Sequence, residues 1–212
     1  MCIRDSNWSG NRITCRDWFQ LSLKEGLTVF RDQCFTADLH SEPLKRIEDA
    51  AMLRNTQFRE DSGPTAHPVK PDSYQAIDNF YTTTIYEKGA ELIRMLRTLL
   101  GPERFMRGMS LYFQRHDGEA ATTEDFVNAI VDGAGADGQP LGFDVEQFRL
   151  WYHQAGTPHV TVKSHWDGEA GRLSLTLQQS TAPTPGQERK QALVIPVLWS
   201  VLQAKGGAGE EP

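Results

Sequence analysis

Residues 21–33, LSLKEGLTVFRDQ, decide the fold of this chain. Apolar side chains recur from here at spacings of four, three and four residues, at Leu23, Leu27, Phe30 and Cys34. This periodicity predicts an amphipathic helix. Two residues in its most apolar part do not fit a purely structural role. Glu25 places a carboxylate there, and Gly26 follows it, although glycine inside a helix costs roughly 1 kcal/mol relative to alanine. Gly26 therefore predicts that something approaches this backbone closely.

The composition excludes several classes of protein. With 212 residues, the chain has room for one large domain or two small ones. Its 28 acidic residues outnumber its 22 basic residues, which argues against general binding to nucleic acids. No apolar run approaches the length of a membrane span. We therefore expect neither a nucleic-acid partner nor a membrane partner.

The cysteines bear on the cellular compartment. Three of them, Cys2, Cys15 and Cys34, do not make a disulfide framework, and they fit a reducing compartment. Cys15 and Cys34 are most simply interpreted as small buried apolar residues. We therefore expect the protein to be cytoplasmic.

A second informative helix is predicted after residues 82–84, a run of threonines that offers an N-cap. Apolar positions from Ile85 to Leu100 keep helical spacing. The helix opens with residues 86–89, YEKG. Taken alone, Tyr86 is a packed helix tyrosine with its hydroxyl at the surface, or a hydrogen-bond donor in a functional site.

Three segments resemble the aminopeptidase N family of gluzincin metallopeptidases, and its bacterial alanyl aminopeptidases in particular. They are residues 7–33, which begin NWSGNRITCRDWF, residues 86–89, YEKG, and residues 151–158, WYHQAGTP. The resemblance extends over residues 7–203. It implies an α+β fold, in which the mostly helical C-terminal lobe of a thermolysin-like catalytic domain precedes a truncated β-sandwich. It also implies a zinc enzyme that hydrolyses N-terminal residues from peptides.

The resemblance implies that Glu25 is a zinc ligand. Members of the family bind zinc through H-E-x-x-H on one helix and a glutamate nineteen residues after the second histidine. Counting back from Glu25 puts Cys2 and Ser6 where the histidines belong, and Ile3 at the general base. No two histidines of the chain are four residues apart; they are His40, His67, His116, His153, His159 and His165. We therefore expect this chain to be an internal fragment that binds no zinc tightly and is inactive alone.

Residues 1–6, MCIRDS, interrupt the resemblance abruptly and have no helical or strand periodicity. A foreign start to the sequence is one explanation. A natural inactive paralogue is the other, although a decayed site usually leaves recognisable remnants around its ligands. The alternative function is a non-catalytic helical module that mediates protein–protein contacts.

Four further residues are candidates for the site. The resemblance implies that the Tyr86 hydroxyl supports the oxyanion of the tetrahedral intermediate. It also implies that Tyr81 walls the pocket for the first substrate side chain; a tyrosine that merely covers the start of the helix is the alternative. Lys24 and Asp32 are candidates for supporting the metal ligands. Seven residues return Asp32 to the helix face of Glu25, with a solvated surface aspartate as the alternative.

The remaining helices are predicted from their caps and apolar spacing. One begins at a capping serine, Ser41, and ends at residues 61–64. Residues 65–72 are predicted to be a surface loop, in which His67 is an ordinary loop histidine. One further helix is predicted to begin at Pro102, and another follows a capping box at residues 122–125. A last helix begins at Asp144, and a loop is predicted at residues 133–142.

Beyond Pro158 the apolar period changes to two. Residues 159–163 and 172–177 alternate and are joined by DGEAG, which predicts a β-hairpin. Residues 192–202 are predicted to form a third strand. The expected organisation is a non-native start, a partial catalytic domain, the beginning of a β-sandwich and a disordered or foreign tail, at residues 1–6, 7–156, 157–203 and 204–212.

Overall fold

The computed structural model describes residues 7–201, apart from the Trp8 side chain, so the predictions for residues 1–6 and 204–212 lie outside the described part. Its α-helices are α1 (Leu21–Leu39), α2 (Glu42–Met52), α3 (Phe58–Asp61), α4 (Gly89–Leu100), α5 (Pro102–His116), α6 (Thr123–Gly135) and α7 (Val145–His153). Its strands are β1 (Thr14–Cys15), β2 (Ala120–Ala121), β3 (His159–Asp167) and β4 (Arg172–Ser180). The expected α+β fold, helical first and β second, is confirmed.

The predicted helix at the centre of the chain forms as α1. Its apolar residues Leu23, Leu27 and Phe30 are buried in the main core, which also takes side chains from α4, α5, α6 and α7. Within residues 7–201, none of the helices has the length and apolar character that a membrane crossing requires.

Helices α1 and α4 approach each other at two glycines. A Cβ atom added at Gly26 would lie 2.8 Å from the carbonyl carbon of Gly89 and 3.1 Å from the nitrogen of Ala90. Backbone atoms cannot give way as a flexible side chain can, so glycine is required at Gly26. The predicted close approach is therefore confirmed. The approaching backbone belongs to the YEKG motif, so the two motifs pack against each other.

The helical segment that follows α1 is continuous but not uniform. A wider π-helical turn, Leu53–Gln57, connects α2 to α3, and the segment ends as predicted near residues 61–64. Ser41 has the extended backbone of an N-cap, but its side chain makes no capping hydrogen bond. The predicted cap position is therefore confirmed, and only the side-chain hydrogen bond of a capping serine is absent.

The lack of periodicity predicted a surface loop over residues 65–72, but the segment is partly buried. Val69 is fully buried in the main core, and the Lys70 N–H donates to the Tyr152 carbonyl at 2.8 Å. His67 lies 2.8 Å from both the Thr65 carbonyl and the Thr82 hydroxyl, which suits a structural loop histidine. Ala66, Val69 and Pro71 are all buried, but isolated buried residues in an irregular segment leave no periodic signal.

The capping box at the start of α6 is confirmed. The Thr122 hydroxyl accepts from the Asp125 N–H at 3.1 Å, and the Asp125 carboxylate accepts from the Thr122 N–H at 2.9 Å. Helix α6 continues to Gly135, so the predicted loop over residues 133–142 begins too early. Its glycine Gly133 is a packing residue, since a Cβ there would lie 2.6 Å from the Cα of Gly108 in α5.

The predicted hairpin forms between β3 and β4, and the register places its apolar side chains on one face. Val162 faces Leu177, and Trp166 faces Leu173, across the two antiparallel strands. These side chains stay between 40% and 61% exposed. One apolar face of the hairpin is thus open within residues 7–201. In a β-sandwich, such a face packs against a second sheet.

The prediction of a third strand over residues 192–202 is wrong for residues 192–201, which belong to no strand. Residue 202 lies outside the described part. Glutamine side chains satisfy its backbone instead. Gln179 accepts from the Leu193 N–H and donates to the Leu193 carbonyl, both at 2.8 Å. Gln154 accepts from the Gln191 N–H at 2.8 Å and donates to its carbonyl at 3.1 Å. Side-chain amides have thus taken the place of a strand ladder.

Candidate active site

Glu25 is a buried carboxylate in the first turns of α1, with 6% of its surface exposed. Burial raises its pKa above the ordinary value, while the Lys24 charge and a hydrogen bond from Tyr86 act in the opposite direction. Within residues 7–201, its Oε2 atom is buried and has no hydrogen-bond partner. Such an unsatisfied oxygen is costly unless it serves another purpose.

Tyr86 lies close enough to Glu25 for the two groups to shift each other's pKa, although the two residues are 61 positions apart in the sequence. It belongs to a π-helical turn, Thr84–Lys88, that precedes α4. Burial, then the negative charge of Glu25 and the hydrogen bond to it, raise the pKa of Tyr86 to about 12. The phenol is therefore neutral at pH 7 and can act as a hydrogen-bond donor.

The crossing of α1 and α4 explains this proximity. Gly26 immediately follows Glu25, and Gly89 lies three positions after Tyr86. Because the two glycines let the backbones approach, side chains beside them from both motifs reach the same place. The structure therefore brings together the predicted metal ligand and the predicted oxyanion donor.

Tyr81 borders this site on an open aromatic surface. Its side chain is 54% exposed, its ring makes an edge contact with Trp18 at 6.4 Å between centroids, and its hydroxyl influences the pKa of Tyr86. Phe80 packs beneath, stacked on Trp18 and in an edge contact with Phe19. An exposed tyrosine on a buried aromatic support can wall a pocket for a substrate side chain.

Lys24 and Asp32 have different surroundings. Lys24 packs directly over Gly10, and its charge acts on the Glu25 carboxyl group. Asp32 is exposed and lines a cleft of about 800 Å³ whose lining includes neither Glu25 nor Tyr86. Its charge acts instead on Glu87, whose pKa is raised by burial and by Asp49, Glu91 and Asp32.

Models of two protein families match the chain. Residues 6–151 match the model of the peptidase family M1 domain. The chain belongs to this family. Residues 156–211 match a domain of unknown function, DUF3458, with an Ig-like fold. The helical part with Glu25 and Tyr86 is thus the M1 domain, and the hairpin belongs to the Ig-like domain.

Several bacterial aminopeptidases, all much longer than this chain, are similar to it. Aminopeptidase N from Escherichia coli (strain K12) is 55% identical over 200 residues, which are 94% of this chain and 22% of that protein. Aminopeptidase N from Caulobacter vibrioides is 56% identical over 168 residues, 79% of this chain and 19% of the relative. A crystal structure of Legionella pneumophila aminopeptidase A in complex with aspartic acid matches with a TM-score of 0.68 and 30% identity, over 84% of this chain and 19% of that one. The chain spans about a fifth of the length of these relatives.

Zinc is the cofactor that M1 membership implies, and the described residues fit it only in part. Glu25 suits one ligand position, because its carboxylate is buried and one oxygen has no other partner. Within residues 7–201, however, no group of three histidine, cysteine, aspartate or glutamate side chains is placed to hold a metal ion. A zinc site needs three protein ligands, so these residues do not complete one.

Residues that support the site were missed in the sequence. Lys88 of the YEKG motif is buried and pairs with Asp61 at 2.7 Å. Glu60 accepts from both the N–H and the hydroxyl of Thr84, at 2.8 and 2.5 Å. The available signal was Lys88 itself, because a lysine at a buried helical position needs a charged partner. The sequence does not show which acid supplies it.

Proposed function

We propose that this chain is part of a zinc-dependent aminopeptidase that removes N-terminal residues from peptides. The proximity of the Glu25 carboxylate and the Tyr86 hydroxyl, each of which shifts the pKa of the other, carries the proposal. A metal ligand and an oxyanion donor must serve one reacting centre, so they have to lie within a few ångströms of each other. Membership in peptidase family M1 and the similarity to aminopeptidase N support the same function.

Each residue then has a definite task. Glu25 would provide one of three protein ligands to the metal, which in such enzymes activates water for attack on the peptide carbonyl. Tyr86 would donate a hydrogen bond to the carbonyl oxygen as negative charge develops on it. Its raised pKa keeps the proton on the phenol throughout the neutral range.

The neighbouring residues would orient the substrate and the ligand. Tyr81 would wall the pocket for the first side chain of the peptide, since its exposed ring rests on Trp18. The positive charge of Lys24 would favour the ionised form of Glu25 by lowering its pKa. Asp32 lines a different cleft and has no part in this proposal. The free Cys15 and Cys34 support a reducing location such as the cytoplasm.

An exchange of segments tests the proposed function. Residues 7–201 of this chain would replace the matching segment of E. coli aminopeptidase N, which is 55% identical and keeps its own upstream residues. We expect the hybrid to retain zinc and to hydrolyse aminoacyl reporters. Tyr86→Phe in the hybrid should lower kcat roughly a hundredfold or more with zinc retained, because one oxyanion donor is lost.

Two further variants make the result specific. Glu25→Ala should reduce zinc content, whereas Tyr74→Phe, in the aromatic surface near Phe80, should leave both zinc and kcat close to those of the hybrid. A folded hybrid that binds no zinc would overturn the assignment of Glu25. A hybrid in which Tyr86→Phe behaves like Tyr74→Phe would overturn the assignment of Tyr86.

A further inference from the structure

The turn that carries Tyr86 is unusual and is held from outside. It is a five-residue π-helical turn, Thr84–Lys88. Such turns are rare, lack the regular hydrogen bonds of an α-helix and are frequent at functional sites. Side chains of α3 contact both ends of this turn.

The first end of the turn is fixed by Glu60 in α3. Its Oε1 atom accepts from the Thr84 N–H at 2.8 Å and from the Thr84 hydroxyl at 2.5 Å. The Gln57 amide, at the residue just before α3, donates to the same hydroxyl at 3.3 Å. Thr84 is fully buried, so these bonds have little competition from water.

The second end of the turn is fixed by Asp61, the neighbour of Glu60. The Lys88 ammonium donates to Asp61 Oδ2 at 2.7 Å, with the two side chains 7% and 0% exposed. Burial opposes ionisation of Asp61. The charge of Lys88 and the hydrogen bonds that the Asp61 carboxylate accepts nevertheless hold the pKa of Asp61 below its ordinary value. The pair is therefore ionised at neutral pH and is costly to separate.

Asp61 also holds the junction between the helical part and the hairpin. Its Oδ1 accepts from the Gly156 N–H at 2.7 Å, and its Oδ2 accepts from the Thr157 hydroxyl at 3.2 Å. The Gly156 carbonyl in turn accepts from Lys88 at 3.1 Å. Two adjacent acids of α3 thus connect the Tyr86 turn to the start of the β region.

We propose that Glu60 and Asp61 are positioning residues for Tyr86. They act by fixing both ends of its turn, and through Asp61 they couple the position of the phenol to the junction before β3. The role of Tyr86 rests on the proposed function, whereas the way its turn is held does not. Displacement of a donor by about 1 Å is enough to weaken its action on a transition state.

Hydrogen exchange in the 212-residue chain tests how the turn is held. Glu60→Ala removes the acceptor, and Glu60→Gln keeps an oxygen at the same place. We expect amide exchange in residues 82–90 to rise about tenfold in Glu60→Ala and to stay near that of the unchanged chain in Glu60→Gln, because opening is local. Glu169→Ala, in the exposed hairpin turn, is the matched control and should leave this segment unchanged.

Asp61→Asn extends the test to the junction. It should accelerate exchange in residues 82–90 and in residues 155–158 together, while peptides from α5 and α6 change little. Equal acceleration everywhere in Glu60→Ala, or no rescue by Glu60→Gln, would overturn the proposal. The Glu60 pair decides the question even if Asp61→Asn does not fold.

Kinetics in the E. coli hybrid then connect the turn to catalysis. Glu60→Ala should lower kcat by about tenfold or more with little change in KM, and Glu60→Gln should restore it, because only transition-state contacts are weakened. An inactive parent hybrid would contradict the proposed function and leave the exchange result standing. An active hybrid whose kcat is the same in Glu60→Ala would contradict the positioning role.

Discussion

Glu25 shows how one residue can work against the stability of the chain that carries it. Its carboxylate is buried, one of its oxygens has no partner within residues 7–201, and its pKa is raised chiefly by burial. A buried polar atom without a partner destabilises a fold by about 1–3 kcal/mol. Proteins retain such features where function requires them.

Glu25→Gln should therefore stabilise the isolated chain at pH 7. Because the pKa of Glu25 is raised in the folded state, its contribution to stability is full below the unfolded pKa and is lost as pH rises through the folded pKa. We expect a gain of about 1 kcal/mol at pH 7, since the amide removes the buried charge. The gain should vanish near pH 4, where the unchanged chain is protonated.

Urea unfolding followed by tryptophan fluorescence measures this difference at low protein concentration. Glu48→Gln, on the exposed side of α2, is the control and should change the midpoint little at either pH. Destabilisation by Glu25→Gln at pH 7 would mean that the interactions of the carboxylate with Lys24 and Tyr86 outweigh the cost of its burial.

Among the elements, the crossing of α1 and α4 matters most. It depends on Gly26, where a Cβ would meet the backbone of Gly89 at 2.8 Å. The two glycines are not equivalent. A Cβ added at Gly89 would meet the Cα of Gly26 only at 3.4 Å, which is an ordinary contact distance.

The two alanine substitutions should therefore differ in sign or size. Gly26→Ala should destabilise the chain by about 2 kcal/mol, because overpacking against backbone exceeds the roughly 1 kcal/mol gained in helix propensity. Gly89→Ala should be neutral or slightly stabilising. Denaturant unfolding of both variants side by side measures the difference, and equal effects would show that the helices do not cross as described.

At the scale of the whole molecule, the described residues leave apolar surfaces open. The hairpin presents Val162, Trp166 and Leu177, and α2 presents Leu44 and Ile47, all at least 44% exposed. Contiguous exposed apolar surface marks an interface or a tendency to aggregate. The match of residues 156–211 to an Ig-like domain agrees with a hairpin face that forms part of a larger sandwich.

We expect the isolated chain to associate as its concentration rises. Static light scattering across a concentration series should show a rising mass, and the double variant Val162→Thr, Leu177→Thr should reduce it, because these residues face each other on the apolar side. Thr161→Ser with Gln178→Ser, a facing pair on the polar side, is the control. A monodisperse, cooperatively melting monomer at high concentration would contradict this prediction.

The isolated chain should also lack enzymatic activity. One carboxylate does not close a site that needs three protein ligands, so we expect no stoichiometric zinc after mild chelation and no turnover of aminoacyl reporters. Metal analysis and a chelator-sensitive peptidase assay measure the two properties. Retained zinc or measurable turnover would show that the chain supplies ligands that its sequence does not reveal.

Local patterns in the sequence determined much of this protein. Apolar spacing identified α1 and α4, the capping box located the start of α6, and the change to a period of two located β3 and β4. Gly26 and Glu25 stood out because each is unfavourable where it lies. These are short-range effects, set by neighbours within a turn or a strand pair, so they can be predicted without the fold.

Only the tertiary structure decided which distant groups meet. It placed Gly89 against Gly26, set Glu60 and Asp61 at the two ends of the Tyr86 turn, and bound Leu193 to Gln179 where a strand was predicted. In each case several side chains of the same type were available in the sequence. A buried donor or acceptor needs some partner, but which one it finds depends on how the helices pack, and packing is a property of the whole chain.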